Sequence, residues 1–498
     1  MNERDRQERE FVLQSAEQLR TGRISRRQFI RSLAVAGFGI ASARYLSGCD
    51  SATALELPAG GSGISNSQQS FLKEVGAQFK GTRLQIVSEN TAPTQIISKL
   101  TKEEFTPLTG IEVAWDIVPL DQVLAKTVRD TLAGKDGHKG QNDVYYWDQA
   151  WLARFANDSI HLDELLSKKN LAYPDYNFDD FLPQLVEATA TYRNSIVGIP
   201  YDIPIFIMMY RKDIFDELRL TVPRTISDYL NVVKTIDGAK RGQGIYGTVG
   251  QRKSGHYSLQ SEASAWLWAH GGQHFDNQDR PHYLTDGNAA GLRTLLELGN
   301  FMDPASTTWD WDGQFAAFAA GKAGVLISWS EFFPGFDDPS KSRVVGLVEP
   351  ADCPIEVAKL SPADCGHGEI PGFGRQGGSC LALSRHAPHP DAAWIFMQWA
   401  TSADVTARAN ALGSNTPTRR SDYSDARVKS GTATTRHFEV TRRAIETRMG
   451  TSPRLPIWPT LASEVNAVEY GKLLAKQQSV EETLQAIQQK TETALLGT

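Results

Sequence analysis

At 498 residues, with 41% apolar and 22% charged side chains, the chain is long enough for two or three folding units. Its composition is ordinary for a globular protein, which excludes a disordered or fibrous one. The formal net charge is −6, and the nearest approach to a basic cluster, Arg419-Arg420, is an isolated pair. A nucleic-acid backbone requires clustered Lys and Arg, so nucleic acid is excluded as a partner.

The chain opens with an export pattern. Arg26 and Arg27 follow Ser25 and lead into Gln28-Phe29-Ile30; after Arg31 an apolar stretch rich in Gly and Ala runs from Leu33 to Ala43. About a dozen residues fall short of the ~20 that span hydrocarbon. The string resembles a twin-arginine export signal, and Leu46-Ser47-Gly48-Cys49 resembles the bacterial lipobox, which implies cleavage before Cys49 and acylation of its sulfur. Each buried methylene contributes about 0.8 kcal/mol, so two or three acyl chains hold a protein stably where one does not. Residues 1–48 are therefore set aside as signal. The remainder carries 43 basic against 53 acidic side chains. Residues 49–81, rich at their start in Ser, Gly and Ala, are expected to be a flexible tether.

Beyond the tether, strand and helix patterns alternate. "RLQIVS" and "IEVAWDIV" read as strands flanking a helix from Ile96 to Phe105, and "DVYYWD" adds a third strand. Asp312 is expected to cap a helix carrying Phe315, Phe318 and Ala319 on one face, with Gly321 stopping it before the strand "AGVLISW". Pro390 starts a helix whose Ala393, Phe396, Met397 and Ala400 repeat at core spacing. Ser479 and Glu482 form a capping box ahead of Leu484, Ile487, Thr491 and Leu495. Alternation of this kind predicts an α/β protein.

Three cysteines follow Cys49. An oxidising compartment permits one disulfide among them, and Cys353 with Cys365, both in a Pro- and Gly-rich stretch, is the expected pair. Cys380, in the alternating string "GGSCLALS", is expected to be a buried structural residue. The spacings match no metal site, and neither a metal nor a cofactor is expected.

Several strings, in order, resemble the family 1 extracellular solute-binding proteins of ABC importers, the maltose-binding-protein class. They are "DVYYWDQAWLARFANDSIHLDELL", "VGIPYDIPIFIMMYRKDIFDEL", "VPRTISDYL", "FAAGKAGVLISWSEFF", "GGSCLALSRHAPHPDAAWIFMQWATS", "LGSNTPTR" and "SVEETLQAIQQKTETAL". The resemblance runs from about Leu84 to Leu495. It implies a two-lobe α/β periplasmic-binding-protein fold of type II with an interlobe hinge and ligand cleft. One lobe would hold residues 82–201 and 343–385, and the other residues 202–342 and 386–498. Ligand touching both lobes stabilises the closed form by its differential affinity.

Ligands in open α/β sheets sit beyond the carboxyl ends of strands. Three strands end in an aromatic beside an acid: Trp147 with Asp148, Tyr201 with Asp202, and Trp329 with Glu331. A flat π-system covers the C–H face of a sugar or polyol while carboxylates accept from its hydroxyls. Glu89-Asn90, Asn415 and the Gly377-Gly378 pair, Gly378 above all, are further candidates, the first two at places where family members contact solute.

The expected function is therefore capture of a sugar or polyol, in the periplasm or an equivalent extracytoplasmic space, by a lipid-anchored monomer that delivers it to ABC permease subunits. A cationic solute such as a polyamine is the alternative on the same fold. A glycoside hydrolase using Asp310, Asp312 and Glu331 is a weaker one, because no hydrolase motif flanks a nucleophile.

Overall fold

A computed structural model describes residues 63–135, 138–355, 360–414, 417–431 and 434–496. Arg26, Arg27, Cys49 and Asn415 lie outside the described residues. No described helix is long and apolar enough to cross a membrane.

In chain order the strands are β1 (Arg83–Glu89), β2 (Glu112–Val118), β3 (Val144–Asp148), β4 (Thr191–Tyr192), β5 (Ser195–Ile196), β6 (Ile199–Asp202) and β7 (Phe206–Arg211). They continue with β8 (Tyr246–Val249), β9 (Ala323–Trp329), β10 (Val348–Ala351), β11 (Gly374–Arg375), β12 (Ser379–Leu383) and β13 (Met449–Gly450). The first lobe is built on a sheet in the order β2-β1-β3-β12-β6, the second on a sheet in the order β10-β7-β9-β8. β1 runs parallel to β2 and β3, and β12 runs antiparallel to both β3 and β6. The carboxyl ends of β1, β3 and β6 consequently share one edge of the first lobe.

Strands β3, β6, β9 and β12 are buried throughout, as expected of strands covered by helices on both faces. Cys380 sits fully buried in β12, with Gly198 against its sulfur: a Cβ there would come within 2.5 Å of Sγ.

The expected caps hold in two cases. Gly321, at φ +79°, ends the helix Trp311–Ala319. In the helix Val480–Leu496 the Ser479 amide donates to Glu482 and the Glu482 amide donates to Ser479 Oγ. In the third case the cap is Asp310 and not Asp312: its Oδ1 accepts from the Gly313 amide at 3.3 Å. Asp312 stands in the first helical turn instead.

Three expected boundaries are corrected. Residues 66–78, assigned to the tether, form a helix with a Ser65–Gln68 capping box, and Leu72 and Val75 are buried. Hydrophobic residues at helical spacing outweigh the polar composition of that stretch. Residues 348–351, assigned to the first lobe, pair with β7 as the edge strand of the second sheet. The helix Pro390–Ala400, assigned to the second lobe, puts Trp394, Phe396 and Trp399 into the core of the first.

The chain crosses between lobes at 203–205, where β6 passes into β7, and at 376–378, where β11 passes into β12. The two crossings run side by side. Ile205 bridges Gln376 in antiparallel fashion, and the Gly377 amide donates to the Pro204 carbonyl at 2.9 Å.

Candidate functional site

Glu89 ends β1, Asp148 ends β3 and Asp202 ends β6, while Ser379 opens β12 directly opposite both aspartates. Residues directly opposite in antiparallel strands project from the same face. The strand order thus lines up Asp148, Ser379 and Asp202. Tyr146, two residues before Asp148, projects to the same side as that aspartate, and its hydroxyl donates to Asp202 Oδ2 at 3.4 Å.

Burial and like charge shape this row. The Glu89 carboxyl is raised to about 8, first by burial and then by the negative charges of Asp202, Asp148 and Asp312, against a lowering hydrogen bond from Tyr146. Burial lifts Asp148 to about 6 in spite of the Ala150 amide and the Arg375 guanidinium. Burial, with Asp202 and Glu89 beside it, holds the Tyr146 phenol well above its usual value, so it remains a hydrogen-bond donor.

Asp312 acts on Glu89 from the second lobe. Burial and Asp310 raise its carboxyl, with Lys253 opposing. It lines a cavity of ≈ 720 Å³ with Asn90, Phe315, Glu331 and Phe332. Leu412 and Gly413, just before Asn415, border the same space.

The structure sorts the expected residues. Asp148, Asp202 and Glu89 come together, and Asn90 and Glu331 border the cavity. The three aromatics do not serve as expected. Trp147 is 0% exposed, its ring stacked on Tyr145 at 6.4 Å and tilted against Phe155 at 5.6 Å within the first core. Tyr201 meets Tyr146 edge-on at 6.3 Å and packs into the first core. Trp329, 5% exposed, lies against Phe206 at 4.3 Å and under Gly377. Neighbours on a strand point to opposite faces, so Trp147 turns inward where Asp148 turns outward.

Gly378 is a packing glycine: a Cβ there would come within 2.6 Å of the Asp202 carbonyl oxygen and 3.0 Å of Ile203 Cα. The residue that sequence reasoning missed is Tyr146. Its signal was the same strand parity, since residues 146 and 148 share a face.

The expected disulfide is also overturned. Cys353 and Cys365 are free. The Cys353 thiol donates to the Phe206 carbonyl at 3.5 Å, and the Cys365 thiol donates to Gln273 Oε1 at 3.7 Å. Burial raises both thiols above the usual range. Among the described residues no group of His, Cys, Asp and Glu side chains is placed to hold a metal ion.

Two lobes on mixed sheets, crossed repeatedly by one chain and enclosing an acidic cavity, define a solute-binding protein. The chain belongs to the bacterial extracellular solute-binding protein family, whose model matches residues 88–407. A solute-binding protein from Agrobacterium radiobacter in complex with ribitol superposes with a TM-score of 0.73 at 22% identity, covering 83% of this chain and 99% of that one. One from Agrobacterium vitis with bound D-mannitol gives 0.70 at 22% identity, covering 84% and 99%. A probable amino-acid ABC transporter periplasmic-binding protein of Sinorhizobium fredii is 21% identical over 70% of this chain and 75% of its own length. The mannitol-binding protein of Pseudomonas aeruginosa is 23% identical over 64% of this chain and 73% of its own length.

Proposed function

We propose that this chain is the solute-binding component of an ABC importer and that it holds a polyol or sugar between its lobes. The observation that carries the reading is the row of acceptors Glu89, Asp148 and Asp202. It stands beside the Tyr146 hydroxyl, and Asp312 and Glu331 of the second lobe stand at the cavity. Hydroxyl groups donate to carboxylates in short charge-assisted bonds, and burying those hydroxyls unpaired would cost about 1–3 kcal/mol each. The ribitol and mannitol complexes and the mannitol-binding relative support the same ligand class.

Export through Arg26 and Arg27, a lipid anchor at Cys49, a contact from Asn415 and delivery to permease subunits complete the proposal. The two crossings serve as the hinge.

Catalysis finds less support. Ser264 Oγ lies 3.2 Å from His274 Nε2, and His274 Nδ1 lies 2.6 Å from Glu369 Oε1, the contact order of a hydrolase triad. All three are buried, and Ser264 sits inside the helix Tyr257–Ala269, where no substrate reaches it. Glu369 also takes the Trp268 indole N–H at 2.6 Å, so the network ties that helix to the chain at 369.

A thermal-shift panel of polyols, monosaccharides, amino acids and diamines tests the reading. A polyhydroxylated compound is expected to raise the melting temperature. A rise only with amino acids or with amines that carry no hydroxyl rejects it.

A further inference from the structure

The aromatics expected to cover the solute, Trp147, Tyr201 and Trp329, pack into the cores. The ≈ 720 Å³ cavity has an aromatic wall of another origin. Phe315, in the helix Trp311–Ala319, and Phe332, in the turn Ser330–Phe332 that follows β9, both line it. Each is only half-buried, whereas Phe318, Phe333 and Phe336 near them are fully enclosed. An aromatic ring left partly in water on the wall of a cleft is surface that a guest can cover.

Packing holds both rings in place. Phe315 stacks on Phe336 with centroids 5.0 Å apart and planes 27° from parallel, which occupies one face and leaves the other. Phe332 meets Phe315 at 5.2 Å with the planes inclined by 48°. Gly335, on the same wall, admits this arrangement: a Cβ there would come within 2.8 Å of Phe315 Cζ. The wall is therefore two facets meeting at an angle. Asn90 of the first lobe, with Glu331 and Thr434, borders the same space, so hydroxyl partners stand around the apolar facets.

Size and shape select among polyhydroxylated guests. A hexitol or a single pyranose, at on the order of 20 Å³ per non-hydrogen atom in close packing, fills about a third of the cavity. Two linked rings fill about two thirds. A pyranose offers a preformed C–H patch to a ring face, whereas an acyclic polyol must freeze its chain to do so. A glycosidic link also sets neighbouring pyranoses at an angle to one another, as the two phenyl rings are set.

We infer that the solute is a carbohydrate of at least two linked pyranose rings, and that Phe315 and Phe332 are its stacking residues, one facet to each ring. This rests on the polyol-or-sugar reading above and selects its cyclic, longer members.

Calorimetric titration of the purified protein with maltose, cellobiose, trehalose, D-glucose, D-mannitol and ribitol tests this. One disaccharide is expected to bind at least 10-fold tighter than D-glucose and either polyol. Phe315→Leu and Phe332→Leu, which keep apolar bulk but lose the ring, are each expected to weaken it at least 5-fold, while Phe332→Tyr stays within 2-fold. Gly335→Ala, which leaves both rings intact but displaces Phe315, is expected to weaken it as well. Should one leucine variant fail to fold, the other and Gly335→Ala carry the test. D-glucose or a polyol binding as tightly as the best disaccharide overturns the inference and leaves the reading above standing, as does disaccharide affinity unchanged in the variants. Binding of no polyhydroxylated compound, here or in the thermal-shift panel, overturns both.

Discussion

Gly377 lies beneath the indole of Trp329, so close that a Cβ at position 377 would come within 2.6 Å of the ring. The glycine belongs to one lobe crossing, and the tryptophan ends the central strand that carries the second lobe toward the cavity. Their contact sets how near the crossing can lie to β9. Gly377→Ala is expected to lower stability by about 1–3 kcal/mol through overpacking, read as a drop in the denaturant midpoint at unchanged slope.

Trp147 offers a contrast in what its loss should do. With its ring enclosed between Tyr145 and Phe155, Trp147→Ala is expected to cost about 3–5 kcal/mol of stability. Urea unfolding checks this. A variant of unchanged stability that fails to bind solute would return the residue to the cleft.

Tyr146→Phe removes the hydroxyl that donates to Asp202 and leaves the ring in place. Solute affinity is expected to fall about 10-fold, equivalent to about 1.4 kcal/mol. Titration of the variant beside the parent protein measures it, and a melting temperature close to the parent's assigns the loss to the site.

The Glu89 carboxyl, at about 8 in the folded protein against a usual 4.5, gives stability a definite pH dependence. Between those values the folded state keeps a proton that the unfolded state releases. The contribution is therefore fully present below about pH 4.5 and lost as pH rises through about 8. Glu89→Gln is expected to match the parent near pH 4.5 and to exceed its melting temperature increasingly toward pH 8 to 9. Asp148, Glu262 and Asp422 are raised in the same direction, so the difference between variant and parent isolates Glu89.

The elements were readable because their signals are local. A strand such as 144–148, the stop at Gly321 and the Ser479–Glu482 box each depend on neighbours within a few residues. Lobe membership was not, because it depends on which sheet a segment joins: Val348–Ala351 reads as a strand anywhere, and only its register against β7 places it. The site was half legible. Acids at strand ends follow from topology, and Glu89, Asp148 and Asp202 lie where that rule puts them. Trp147 beside Asp148 misled, because adjacency in sequence means opposite faces on a strand. The same rule, counted back from Asp148 along β3, passes over Trp147 and picks Tyr146 for the side of the sheet that carries the aspartate.

Cys353, Cys365 and Cys380 keep their protons and their places without a covalent cross-link among them. None of the three therefore contributes a cross-link to the described fold. A fold held together without such a link has nothing for a reductant to cut, so the same tertiary structure persists in reducing and in oxidising surroundings alike.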